Sequence, residues 1–336
     1  SFGKNQSMMR CMDMGDLPRI RQLAEYAVKS HPQDPASHLT LAAARGMDRD
    51  NAGAWQATIA ALDLQPAYQP ALNALTLLAR EPKQRDELRA RYAKAIQAKP
   101  TSDQTYLAYS ELLQQAGTDR ASITALLEKG VAAVPASTAL RAALAQELLR
   151  AGKADVAISV AQTGASANNA APDAVALLGS LYETVGETRL ATETYRKLAA
   201  NYPQRADWRL KLADLEAAAG QKKEATSLLR ALITDRPFDP AAYIVLARLT
   251  APDNLQEALS VARELGARES NKLTAMLLEG DLLASHGQND DALKQFAKAA
   301  RAGALPTAQL RIVQVLDRSG RQPAADQELA DALKKF

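Results

Sequence analysis

The sequence predicts an all-α solenoid of stacked antiparallel helix pairs, and three observations carry that prediction. Apolar residues make up 47% of the chain but aromatic residues only 4%, so the apolar content is mostly Ala and Leu. Those two are strong helix formers, whereas a sheet protein draws on β-branched and aromatic residues. The chain also repeats itself every 34 residues. Glycines and prolines, which end helices, stand at fixed places within that period. Length agrees: 336 residues exceed what one compact core accommodates, which leaves two domains or an array.

The period is plainest between residues 172–205 and 206–239. Leu178-Gly179 overlies Leu212-Ala213, Gly186 overlies Gly220, Ala191 overlies Ala225, Tyr195 overlies Leu229 and Pro203 overlies Pro237, each 34 residues apart. Extended in both directions, the frame gives ten repeats: 1–34, 35–68, 69–102, 103–137, 138–171, 172–205, 206–239, 240–272, 273–306 and 307–336. Single-residue slips are placed near Pro135 and near Asp253. Each repeat holds two helices, and a small residue near the middle of each lets the backbones approach. No repeat buries its apolar face alone, so stacking is obligatory.

Taken in order, the first repeat departs most. Met8 and Ile20 stand where small residues belong, beside Met9, Met12 and Met14. This flexible cluster is expected to pack against an upstream repeat. The chain begins Ser1-Phe2-Gly3-Lys4, without an initiator Met, and reads as an excised fragment. Cys11 falls on a core-facing position and is expected to be a buried thiol. In the second repeat, Asp34-Pro35 opens a first helix, with Asp as N-cap and Pro in the first turn. Asp48-Arg49-Asp50 imitates the start of a calcium loop, but the bidentate Glu is replaced by Ile59, so the acids are expected to cap the second helix. In the third repeat, residues 81–86 lack the turn glycine. Gly15, Gly117, Gly152, Gly186, Gly220 and Gly287 are expected to close first helices in the left-handed conformation. Gly152-Lys153-Ala154 lacks the other residues of a phosphate loop and is assigned to such a turn. Thr163–Ala170 lacks a closing proline; it reads either as a bend between two subarrays or as an ordinary long turn. Asp239-Pro240 opens another first helix, and the last repeat is short.

These residues resemble the tetratricopeptide repeat family over nearly the whole chain. The family's small eighth position is held by Ala42, Thr76, Ser110, Ala145, Gly179, Ala213, Ala247 and Gly280. Its twentieth is held by Ala54, Ser122, Ala157, Ala191, Ala225, Ala258 and Ala292. Closing prolines appear as Pro32, Pro66, Pro100, Pro203 and Pro237. The resemblance implies a right-handed superhelix whose first helices line a concave groove. Transferred residue by residue, that lining takes in Leu39, Asn73, Leu77, Arg80, Leu107, Glu111, Gln114, Gln146 and Arg150. It continues through Asp173, Glu183, Asp207, Asp214, Arg248, Asp281, Arg311 and Arg318. The middle of this lining is acidic and the far end more basic, which favours a basic peptide or a cationic sugar polymer. The carboxylate clamp of the family's chaperone-tail binders is missing, since its Lys and Asn places hold Ala176 and Ser180, or Leu210 and Asp214.

Chemistry is scarce. The net charge is +3, from 41 basic and 38 acidic residues without a basic stripe, so nucleic acid is not an expected partner. One cysteine forms no intramolecular disulfide and no cysteine-based zinc site. His31, His38 and His286 show no metal spacing, and no cofactor or metal is expected. Asn5-Gln6-Ser7 fits a glycosylation sequon by chance. No apolar run reaches the ~18 residues of a membrane span. Tyr109 and Tyr182 recur at packing positions, whereas Trp208, near the start of a first helix, is expected to be partly exposed. No set of acid, base and nucleophile appears, so the chain is read as a binding protein and not as an enzyme.

The Ala/Gln/Arg-rich repeats are also similar to those of bacterial envelope lipoproteins of exopolysaccharide export and of the exosortase system. That resemblance implies a scaffold or adaptor for protein partners in a cell-envelope assembly, in the periplasm or at the outer membrane. The alternatives are a cytoplasmic peptide-binding regulatory module and the interaction domain of a larger enzyme such as a glycosyltransferase.

Overall fold

Aspartates and asparagines open several of the helices. In the structure, a computed structural model describing residues 17–167, 170–303 and 305–333, the Ala36 amide donates to Asp34 Oδ1 at 3.1 Å and the Ala241 amide to Asp239 Oδ1 at 3.0 Å. Each Asp is followed by a proline whose fixed φ suits the first helical turn. Asp50 accepts from the Gly53 amide at 2.8 Å, which makes it the expected cap of a second helix. Met8, Met9, Met12, Met14, Cys11, Gly15 and the Asn5 sequon lie outside the described residues.

Nineteen α-helices and no strand are found among the described residues. They run α1 Leu17–Ser30, α2 Pro35–Met47, α3 Asn51–Leu64, α4 Gln69–Leu78, α5 Pro82–Ala98, α6 Asp103–Gln115, α7 Arg120–Ala133, α8 Thr138–Arg150, α9 Ala154–Ala165 and α10 Pro172–Thr184. Then follow α11 Thr188–Asn201, α12 Ala206–Ala218, α13 Lys222–Asp235, α14 Pro240–Thr250, α15 Leu255–Gly266, α16 Lys272–Ser285, α17 Asn289–Arg301, α18 Leu305–Arg318 and α19 Gln322–Leu333. Consecutive helices pack on each other from α1 to α9 and from α11 to α19, and first helices also touch the next first helix at α6/α8, α12/α14 and α14/α16. This is the all-α solenoid of antiparallel helix pairs. The chain divides into two compact bodies, Ser1–Leu177 and Leu178–Phe336.

The turn glycines do what their place requires. Gly186 and Gly220 have φ of +85° and +80°, conformations an L side chain adopts only at a cost. The small positions explain how close the helices come. A Cβ on Gly280 of α16 falls 2.3 Å from the Phe296 ring of α17, and one on Gly179 falls 2.9 Å from the Tyr195 ring. Ala191, Ala225, Ala258 and Ala292 are all fully buried.

Two of the expected small packing residues are instead exposed, Thr76 and Ser122. In the third repeat the twentieth place is the buried Leu88, too large for close approach, and Thr76 Oγ1 meets Tyr92 Oη at 2.9 Å. With no glycine there, the turn is tied by Gln84 Oε1, which accepts the Arg80 and Glu81 amides at 3.0 and 3.1 Å. In the fourth repeat the buried fourth residue of α7 is Ile123, while Ser122 donates its hydroxyl to the capping Asp119. The extra residue of this repeat therefore lies in the turn after Gly117, ahead of the slip placed near Pro135.

A recurring tie was not foreseen. His38, Arg141, Arg209 and Tyr243 each reach the carbonyl of a proline six residues upstream: Pro32 at 2.8 Å, Pro135, Pro203 at 3.3 Å and Pro237 at 3.4 Å. Each bond fastens the first helix to the loop that delivers it. The sequence signal is a donor side chain six places after a proline.

The first body has a core around Leu62, Leu72, Leu88 and Tyr92 and another around Ile20, Leu41 and Ala44. The second has a continuous core from Ala213 to Val315. Trp208, expected to be partly exposed, is 5% exposed: the Arg205 guanidinium lies 3.8 Å over its ring and Tyr202 meets it edge-on. Tyr182 is buried, and Tyr109 is half-buried and stacked on Tyr92.

Candidate functional site: the first-helix face

In the first body the expected lining residues stand on successive first helices. Asn73 and Leu77 are one turn apart on α4, and both are exposed. Leu77 is 80% exposed, the highest value among the exposed large apolar residues of the described chain. Arg80 is exposed in the turn just past the helix. Gln69 Nε2 donates to Asn73 Oδ1 at 2.9 Å and Thr105 of α6 donates to Gln69 Oε1 at 3.1 Å, so a polar chain links neighbouring first helices. Leu107 is half-buried and Glu111 exposed one turn later on α6. Gln146 and Arg150 are exposed one turn apart on α8, and Arg150 donates to Glu147 Oε2 at 3.1 Å. Asp173 is exposed in the first turn of α10.

In the second body the structure sets a cation beside most of the acidic residues. Lys211 lies 2.7 Å from Glu183, and Arg205 lies 2.8 Å from Asp207. The Arg205 guanidinium, by hydrogen bond and charge, holds the Asp207 carboxyl below its usual range. Asp281 and Arg311, both expected lining residues, are brought together at 2.8 Å across neighbouring first helices. Asp214 is the exception: burial, with like charge from Glu183, pushes its carboxyl up against the pull of Lys211. Arg248 is exposed on α14. Of the acidic stretch read along the sequence, Glu183 and Asp207 are thus each offset locally by a cation.

Sequence reasoning missed two buried carboxylates. Glu147 and Glu216, 2% and 3% exposed, stand at places that are apolar in most other repeats. Glu147 takes Arg120 at 3.2 Å as well as Arg150, and Glu216 takes Arg196. Among the described residues no cluster of His, Cys, Asp and Glu is arranged to hold a metal ion. The His286 ring faces the Leu282 and Ala251 carbonyls at 2.9 Å each, an inter-repeat tie. No helix among the described residues is long and apolar enough to cross a membrane.

Stacked helix pairs closed by left-handed glycines, with polar and apolar side chains displayed along the first helices, define a repeat scaffold for protein interaction. Residues 91–236 match the family described as tetratricopeptide repeat. Among solved structures it is similar to a chain in the structure of Naa15/Naa10 bound to HypK-THB, at 15% identity and a TM-score of 0.42, covering 98% of this chain and 62% of that one. It is also similar to the crystal structure of MamA protein, at 18% identity and a TM-score of 0.40, covering 51% of this chain and 94% of that one. The chain therefore spans 62% of the length of the first of these. No curated protein sequence matches it.

Proposed function

We propose that this tetratricopeptide repeat scaffold holds a segment of a partner protein along the first helices of its first body, with Leu77 as the apolar anchor. The observation that carries this reading is the exposure of Leu77, at 80%, between Asn73 and Arg80. Leaving a leucine side chain in water forgoes roughly 1.5–3 kcal/mol of burial, which a partner recovers by covering it. The flanking amide and guanidinium supply directional hydrogen bonds at the rim. Quantitative affinity capture from native cells tests the reading: Leu77→Glu is expected to lose the main partner while leaving thermal stability unchanged. Capture of the same partner in equal yield by both forms contradicts it.

The finer reading is a role in a bacterial cell-envelope assembly serving exopolysaccharide biosynthesis or export, in the periplasm or at the outer membrane. Its support is the similarity of the Ala/Gln/Arg-rich repeats to those of envelope lipoproteins. Fractionation of the native cells tests it: the protein is expected with the envelope, and recovery in the cytosol with only cytosolic partners overturns it.

A further inference from the structure

The turn between α13 and α14 carries a second exposed anchor, far in sequence from Leu77. Phe238 is 70% exposed. The residues that follow Pro32, Pro66, Pro100, Pro135 and Pro203 in the equivalent turns are Gln33, Ala67, Thr101, Ala136 and Gln204, small or polar in every case. The fold therefore has no need of an aromatic at this place.

The turn is also held firmly. Asn271, buried at 6% exposure, donates its side-chain amide to the Phe238 carbonyl at 3.0 Å across 33 residues. Arg236 donates to the Gln204 carbonyl at 2.6 Å, which ties the turn to the preceding one. Arg268 lies between the Phe238 and Tyr243 rings, 5.8 and 5.6 Å from their centroids. An aromatic carried on a backbone that is already fixed loses less conformational entropy on binding than one on a loose turn.

The charges around Phe238 name the partner. The nearby carboxylates are already engaged: Asp235 with Arg209, Glu264 with Arg230, Glu269 with Lys272, and Asp239 as the cap of α14. The guanidinium groups of Arg236 and Arg268 hydrogen-bond to the backbone carbonyls of Gln204 and Glu264 and, among the described residues, to no carboxylate. Phe238 thus has the Arg268 guanidinium 5.8 Å from its ring and Arg236 two residues back in the same turn, both with donors to spare, and a planar guanidinium matches a carboxylate in two bonds.

We infer that Phe238, Arg236 and Arg268 form an interaction surface for an acidic segment of a partner protein that carries apolar side chains among its carboxylates. The surface belongs to the second body and the Leu77 face to the first, so each body carries a partner segment of its own.

The test is fluorescence anisotropy of the full chain with three labelled short peptides. One alternates Glu with Leu, the second has Lys in place of Glu, and the third has Gly in place of Leu. The Glu/Leu peptide is expected to bind, with affinity falling as salt is raised. Phe238→Ala and Arg236→Glu are each expected to weaken it at least about tenfold, the loss an interface anchor produces. Leu77→Glu leaves it unchanged, which separates this surface from the other one. The exposed Phe238 side chain is removed without disturbing the Asn271 bond to the backbone, so the variant keeps its fold, as circular dichroism checks. The inference is overturned if the Glu/Leu peptide fails to bind at about 1 mM, if Phe238→Ala binds it equally, or if the Lys or Gly peptide binds as well. Self-association of the chain that Phe238→Ala abolishes also overturns it, by assigning the surface to a second copy.

Discussion

Arg196 of α11 is the cation on the Glu216 carboxylate of α12, at a place in the repeat where α6, α8, α10 and α16 carry Leu113, Leu148, Tyr182 and Leu283. Glu216 is 3% exposed, and its second oxygen is buried without a hydrogen-bond partner. A buried carboxylate is tolerated only while its partner stays. Arg196→Ala is expected to lower unfolding free energy by about 2–4 kcal/mol, whereas Glu216→Leu is neutral or stabilising. Urea unfolding of the two variants decides it: equal losses in both contradict the claim that the ion pair is a replaceable substitute for core packing.

The fourth place of the repeat offers an internal comparison. Tyr243 donates to the Pro237 carbonyl, whereas the hydroxyl of Tyr106, six residues after Pro100, is buried with no partner. Removing a satisfied hydroxyl costs roughly 0.5–1 kcal/mol, and removing an unsatisfied one relieves a desolvation penalty. Tyr243→Phe is thus expected to lower the melting temperature slightly and Tyr106→Phe to keep or raise it. The reverse order sinks the assignment of the tie.

Close helix approach makes a methyl group costly at Gly280. Gly280→Ala places Cβ 2.3 Å from the Phe296 ring and is expected to destabilise by about 1–3 kcal/mol. Ala191→Trp, at a fully buried position, overpacks its pair by at least about as much. Gly46, near the end of α2, has open space around it, so Gly46→Ala is neutral or stabilising by up to about 1 kcal/mol. Unchanged stability in the first two means that the repeat frame is misplaced.

Burial is the largest influence on Glu279 and pushes its carboxyl above the usual range, with Arg263 and Lys298 acting against it. The folded state therefore binds a proton more tightly than the unfolded chain. Its contribution is most favourable below the unfolded-state pKa and declines as pH rises through the window up to the raised folded value. Glu279→Gln is expected to gain melting temperature relative to the parent protein as pH moves from acid to neutral. A constant difference across that range contradicts the shift.

Much of the fold was legible because its determinants are local. The Asp34-Pro35 and Asp239-Pro240 openings, the Asp50 cap and the left-handed Gly186 and Gly220 each depend on a few neighbouring residues. Small residues at a 34-residue spacing report helix contact because only one geometry needs them. The lapses came where tertiary context decides. Ser122 reads as a packing residue until the longer turn after Gly117 hands that role to Ile123. Trp208 near a helix start looks exposed until Arg205 and Tyr202 close over it. The acidic reading of Glu183 and Asp207 did not include Lys211 and Arg205. Lys211 comes from the neighbouring first helix, about one repeat away, and a position-by-position transfer of lining residues does not see it. Glu147 and Glu216 were missed because apolar periodicity marks a core position without registering a charge that an adjacent helix neutralises.

Binding along the first-helix face is the central claim, and a photo-crosslinking amino acid placed at position 77 of the protein in its native cells tests it most directly. A partner protein is expected to crosslink at position 77, whereas the same probe at Lys129, exposed on the second helix α7, captures little of it. Efficient capture at position 129 with none at position 77 would contradict it.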